Sequence, residues 1–128
     1  MDKELHKFEK FGFSYQWFPE GNYLRVNFWG DHGLVEANKF KEEMEKIFQQ
    51  IKHKFFIFND LRKGETATKD AMDVYAKMLV NPQIEKHAFL VPESGPVVII
   101  PDLLIKMSGI TNAMLFHDQE QLMDYLKK

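Results

Sequence analysis

Side chains able to do chemistry are few in this sequence, and their spacing limits what they can do. His6, His32, His53, His87 and His117 could ligate a metal or carry a proton, Ser94 could act as a nucleophile, and Asp60 could hold a polar ligand. No two histidines lie four apart, and none stands in an HExxH arrangement, which sets two imidazoles on one helical face around zinc. His32 beside Asp31 and His117 beside Asp118 are the two imidazoles with an adjacent carboxylate. Ser94 sits in Glu93-Ser94-Gly95-Pro96, not in a GxSxG turn, and no glycine-rich phosphate loop follows an apolar run. With no cysteine in the chain, thiol nucleophiles, disulfides and thiolate metal sites are excluded. These patterns predict no catalytic residue, no metal and no cofactor.

The bulk properties narrow the partners. Lysine and arginine total 17 against 19 aspartate and glutamate, a net charge of -2, so nothing draws the chain toward polyanions and nucleic acid is not an expected partner. Its 128 residues, 45% of them hydrophobic, suffice for one core and predict one domain over residues 1–128, with 1–10 as a flexible or helical lead. The stretch from Met1 to Lys7 is charged and leads into no apolar segment, which predicts a cytoplasmic protein. The longest apolar stretch, Val97 to Met107, is broken by Pro101, Asp102 and Lys106 and falls short of the roughly 20 residues of a membrane span.

The elements that position these residues are read from periodicity. Phe13, Tyr15 and Trp17 alternate with small or polar residues, as do Leu24, Val26 and Phe28 after the turn Pro19-Glu20-Gly21-Asn22. Pairing Phe18 with Tyr23 sets Trp17 opposite Leu24, Tyr15 opposite Val26 and Phe13 opposite Phe28, which gathers every large apolar side chain on one face. From Leu34 to Ile51 apolar residues recur at three- and four-residue intervals, predicting an amphipathic helix whose solvated face carries Lys39, Lys41, Glu42, Glu43, Glu45 and Lys46. Phe55 to Phe58 reads as a central strand emerging through Asn59 and Asp60 into a loop, Leu61 to Glu65, before a helix with Ala71, Met72, Tyr75, Met78 and Leu79 inward. Ala88 to Val91 reads as a strand, Val97 to about Gly109 as a helix, Asn112 to Phe116 as a last strand, and Asp118 opens a final helix. The predicted fold is α/β, a mixed and mostly parallel sheet with an N-terminal β-hairpin, in the order β-β-α-β-α-β-α-β-α.

That order, together with Phe55-Phe56-Ile57-Phe58-Asn59-Asp60-Leu61 closing a central strand, resembles the STAS superfamily of sulphate transporters and anti-sigma-factor antagonists. The run from Asn81 to Val91 and the closing run from Leu115 to Leu126 are similar to its branch of small stand-alone proteins like the stage II sporulation AA protein. The likeness spans residues 22–128 and rests on hydrophobic and helix-start positions. It implies a non-catalytic regulatory or protein-binding module that meets its partner through the loop bearing Asp60, Arg62, Lys63 and Glu65. Antagonists of this kind carry a phosphorylatable hydroxyl where the helix after the central strand begins, in an Asp-Ser-Ser-Gly-like run. The corresponding stretch here, Gly64 to Lys69, lacks that run and offers Thr66 and Thr68. A phosphate there would add about -1.5 to -2 charges beside a helix N-terminus, whereas a bare hydroxyl would cap the helix.

The Val97 to Met107 segment supports a second reading. A helix apolar nearly all round is not covered by one sheet face, so Val98, Ile99, Leu103, Ile105 and Met107 are expected to line either a homodimer interface or a cleft for a small apolar, lipid-like ligand.

Overall fold

The computed structural model describes residues 4–127. Six strands, β1 (Leu5–Phe8), β2 (Phe13–Phe18), β3 (Tyr23–His32), β4 (Phe55–Ala67), β5 (Ile84–Leu90) and β6 (Ala113–Phe116), form one sheet in chain order. β1, β2 and β3 pair antiparallel, and β3 through β6 pair parallel. Helices α1 (Leu34–Ile51), α2 (Lys69–Leu79) and α3 (Ile100–Ser108) make the three parallel crossovers. Each crossover steps the same way across the sheet, so a common right-handed sense puts all three helices on one face. α4 (Gln119–Lys127) follows β6 and packs on the other face, where Leu122 and Leu126 meet Phe58, Ala88 and Leu90.

The hairpin has the expected register, with Phe13 opposite Phe28, Tyr15 opposite Val26, Trp17 opposite Leu24 and Phe18 opposite Tyr23. Its apolar face meets α1 and Phe55 in the largest core cluster, where Phe13 stands edge-on to Phe40 at 5.2 Å and Trp17 edge-on to Phe55 at 5.8 Å.

Three features depart from the expectations. Of the 1–10 lead expected to be flexible or helical, residues 1–3 lie outside the described residues, Leu5–Phe8 is strand and Glu9–Phe11 a 3-10 helical turn: His6 stacks on Tyr15 and Phe8 on Phe13, so the hairpin's apolar rings recruit a further antiparallel strand and the order begins β-β-β. The turn between β1 and β2 depends on Gly12, at φ 71°, where an added Cβ would lie 2.6 Å from the Trp29 carbonyl oxygen. The segment Leu61 to Glu65 is strand, not loop, because β3 runs on to His32 and provides partners as far as Ala67. Glu43 is buried, not solvated, since the three antiparallel strands widen the sheet beneath α1. Lys39 and Lys46 hold its carboxylate at 3.3 and 3.2 Å. Burial, with the charge of Glu43 and a hydrogen bond to it, pushes the Tyr15 hydroxyl up to about 12.

Helix ends follow their local chemistry. The Thr68 hydroxyl accepts the Ala71 N–H at 3.2 Å and caps α2, Asp118 takes the Glu120 N–H at 3.0 Å before α4, and Gly109 closes α3 at φ 75°. Thr68→Ala is therefore expected to lower the unfolding free energy by about 1 kcal/mol. An unshifted urea midpoint would show that the cap contributes nothing. No helix among the described residues is long and apolar enough to cross a membrane.

Candidate ligand-binding cleft

Between the sheet and its three-helix face lies a cavity of about 80 Å³. Phe28, Ile57, Leu61 and Phe89 form its floor, and Phe40, Met44, Met78 and Leu104 belong to its roof. Gly30, Glu65 and Thr66 line it near the carboxyl ends of β3 and β4, the end at which open parallel sheets gather ligands.

Two of the polar side chains in this wall come from the alternation of β4 and β5. On β4 the alternation Ile57, Asn59, Leu61 turns Asn59 toward the helices. It is 6% exposed, and its carboxamide has no hydrogen-bond partner among the described residues. On β5 the alternation His87, Phe89, Val91 does the same for His87, which is fully buried. Its Nε2 lies 3.0 Å from the Leu79 carbonyl oxygen, whereas its Nδ1 has no partner among the described residues. Burial outweighs the pull of that carbonyl and pushes the imidazole down to about 4, so the ring is neutral at physiological pH.

A second histidine is closed off. His32 Nε2 donates to the Gly12 carbonyl oxygen at 3.1 Å, and Nδ1 then accepts the Tyr75 hydroxyl at 2.6 Å. Burial lowers the imidazole's pKa against the opposing pull of its backbone partners, and burial likewise raises that of the Tyr75 hydroxyl.

The opposite sheet face carries a charge cluster. Asp60 accepts from Arg25 at 2.8 Å and from Arg62 at 2.7 and 3.0 Å, while the Arg25 guanidinium lies 4.6 Å over the Phe58 ring. Burial pushes the Asp60 carboxyl up, but hydrogen bonds from the Arg62 side chain and backbone, with both guanidinium charges, more than offset it and leave the carboxyl below its ordinary value. Asp60 also accepts the Arg62 N–H at 3.1 Å, within the strand.

The residues singled out in the sequence are thus dispersed. Glu65 and Thr66 border the cavity, Asp60 and Arg62 form the cluster on the other face, Lys63 is exposed, and Thr68 caps α2. The Thr66 N–H and hydroxyl both donate to Asp31 Oδ1. On the α3 side, Ile99, Leu103 and Met107 are exposed, whereas Val98 and Ile105 are half-buried. Among the described residues no group of three or more histidine, aspartate or glutamate side chains could hold a metal ion.

An uncharacterised protein of the DUF3478 family from Shewanella loihica PV-4, described as having a SpoIIAA-like fold, superposes with a TM-score of 0.67 over 98% of both chains. The fold is SpoIIAA-like. Sequence identity across that superposition is 13%, so the likeness concerns architecture alone. No protein-family model matches the sequence, and no curated protein matches it. In this SpoIIAA-like sheet two of the cleft's polar residues, Asn59 and His87, were not expected inside. Of the five histidines, which no motif set apart, His32 and His87 are buried. The signal for His87 was its two-residue spacing from Phe89 and Val91, visible once β5 is started at Ile84 instead of Ala88. Asn59 stood in the same relation to Ile57 and Leu61.

Proposed function

We propose that this SpoIIAA-like domain is a non-catalytic binding module that holds a small, largely apolar molecule between its sheet and helices α1 to α3. The observation that carries this reading is an apolar cavity lined by a buried imidazole, His87, whose Nδ1 has no partner among the described residues, with the Asn59 carboxamide on the same wall. Burying a polar group without a partner costs about 1–3 kcal/mol, and a bound molecule is what would recover that cost. The volume sets a small occupant: an apolar cavity of about 150 Å³ accepts benzene, and at 80 Å³ this one suits a molecule smaller than benzene. Met44 and Met78, each with flexible unbranched side chains, are the wall residues best able to give way.

Asn59→Leu tests the reading on two axes. It keeps roughly the same volume while removing the unpartnered amide, so it is expected to raise the unfolding free energy by about 1 kcal/mol and to weaken binding of 1-butanol, titrated calorimetrically. A destabilised variant that binds the probe unchanged would mean that Asn59 serves folding and not an occupant.

The phosphoswitch reading has less support. With the Thr66 hydroxyl already donating to Asp31, a phosphate there would break that bond and set its negative charge against a carboxylate. At Thr68 it would replace the α2 cap.

A further inference from the structure

The cleft's polar end has a definite hydrogen-bonding sense. A backbone carbonyl can only accept, so the 3.0 Å contact between His87 Nε2 and the Leu79 oxygen places the imidazole proton on Nε2. Nδ1 is left as a bare lone pair, buried and unpartnered, on a ring that lines the cavity. That atom can be satisfied by a donor and by nothing else. The other buried imidazole does not compete for it, since both nitrogens of His32 are engaged.

Charge narrows the donor further. Neither lysine nor arginine lines the cavity, and its one charged residue is Glu65 near the strand ends. A carboxylate or phosphate head would find no cation inside and would have to pass a like charge on the way. Asn59 stands one step along the same sheet face, since Ile57 pairs with His87 and Asn59 with Phe89. Its carboxamide both donates and accepts, so it complements a group that does the same.

Resting on the binding reading above, we propose that the occupant is a short unbranched aliphatic molecule whose polar end is a neutral O–H, an alcohol or an undissociated carboxylic acid, donated to Nδ1 of His87. The rest of the molecule lies against the apolar floor and the methionines of the roof.

The test compares three small probes of similar size on the protein by calorimetry at neutral pH: 1-butanol, its isomer methyl propyl ether, and butanoate. The alcohol is expected to bind about tenfold more tightly than the ether, which lacks a donor, and more tightly than the anion. In His87→Phe the alcohol is expected to bind no more tightly than the ether. Wild-type protein provides a check free of any folding defect: the ¹⁵N resonance of His87 Nδ1 should shift with the alcohol and stay put with the ether. Equal wild-type affinity for alcohol and ether, or a preference for butanoate, would overturn the donor assignment and leave the cleft as a binding site. No binding of any probe would overturn both.

Discussion

Phe13→Ala is expected to lower the unfolding free energy by about 3–5 kcal/mol, a large part of the 5–15 kcal/mol that holds a typical domain together. The ring is wholly buried and lies where four elements meet. It stacks on Phe8 of β1 at 5.0 Å, faces Phe28 of β3 in register and stands edge-on to Phe40 of α1 at 5.2 Å. Truncation removes the transfer energy of a large aromatic side chain and leaves a void that flanking β-strands are poorly placed to close. Urea unfolding followed by tryptophan fluorescence measures the change directly, because Trp17 reports from the same face. A loss below about 1 kcal/mol would show that the hairpin is not integral to the core.

Acid is expected to remove on the order of 3 kcal/mol of stability through His87. The imidazole's pKa is about 4 in the folded chain against an ordinary 6.5, and a difference of that size converts to this energy. Between those two values the unfolded chain binds a proton that the native state refuses, so stability is complete above about pH 6.5 and drains away toward pH 4. The direction is opposite to that of a histidine raised by a carboxylate partner. His32 is lowered in the same sense by burial, so wild type and His87→Phe must be compared at each pH. The variant should lose markedly less between pH 7 and pH 4.5. Parallel curves for the two proteins would mean that the imidazole is hydrated in the folded state.

How much of this was legible in the sequence depends on the range of the forces involved. The β2–β3 register could be read residue by residue, because alternation and the turn at Pro19 to Asn22 are local and a one-residue slip would expose Phe13, Tyr15 and Trp17. The span of α1, the stop of α3 at Gly109 and the start of α4 after Asp118 were local for the same reason. What escaped was set by neighbours distant in sequence. Leu61 to Glu65 looks like a polar loop and becomes strand because the end of β3 lies alongside, with Lys63 opposite Trp29 and Gly64 opposite Gly30. Glu43 looks solvated and is covered because β1 and β2 extend the floor under it. The site was less legible than the fold for a related reason. Asn59 and His87 matter through partners they lack, and a missing partner has no periodicity to betray it.

The strand order also bears on how the molecule opens. Because each strand pairs with its predecessor in the chain, no strand has to be inserted between two others, and either margin can detach without unthreading the rest. β1 and β6, four residues each and paired on one side only, are the thin margins. In native-state hydrogen exchange their amides would be released through small local openings, while those of β4 and β5, which carry Asn59 and His87, would wait for global unfolding. The cleft is thereby expected in the slowest-exchanging part of the sheet, where fraying at the rims would leave its geometry untouched.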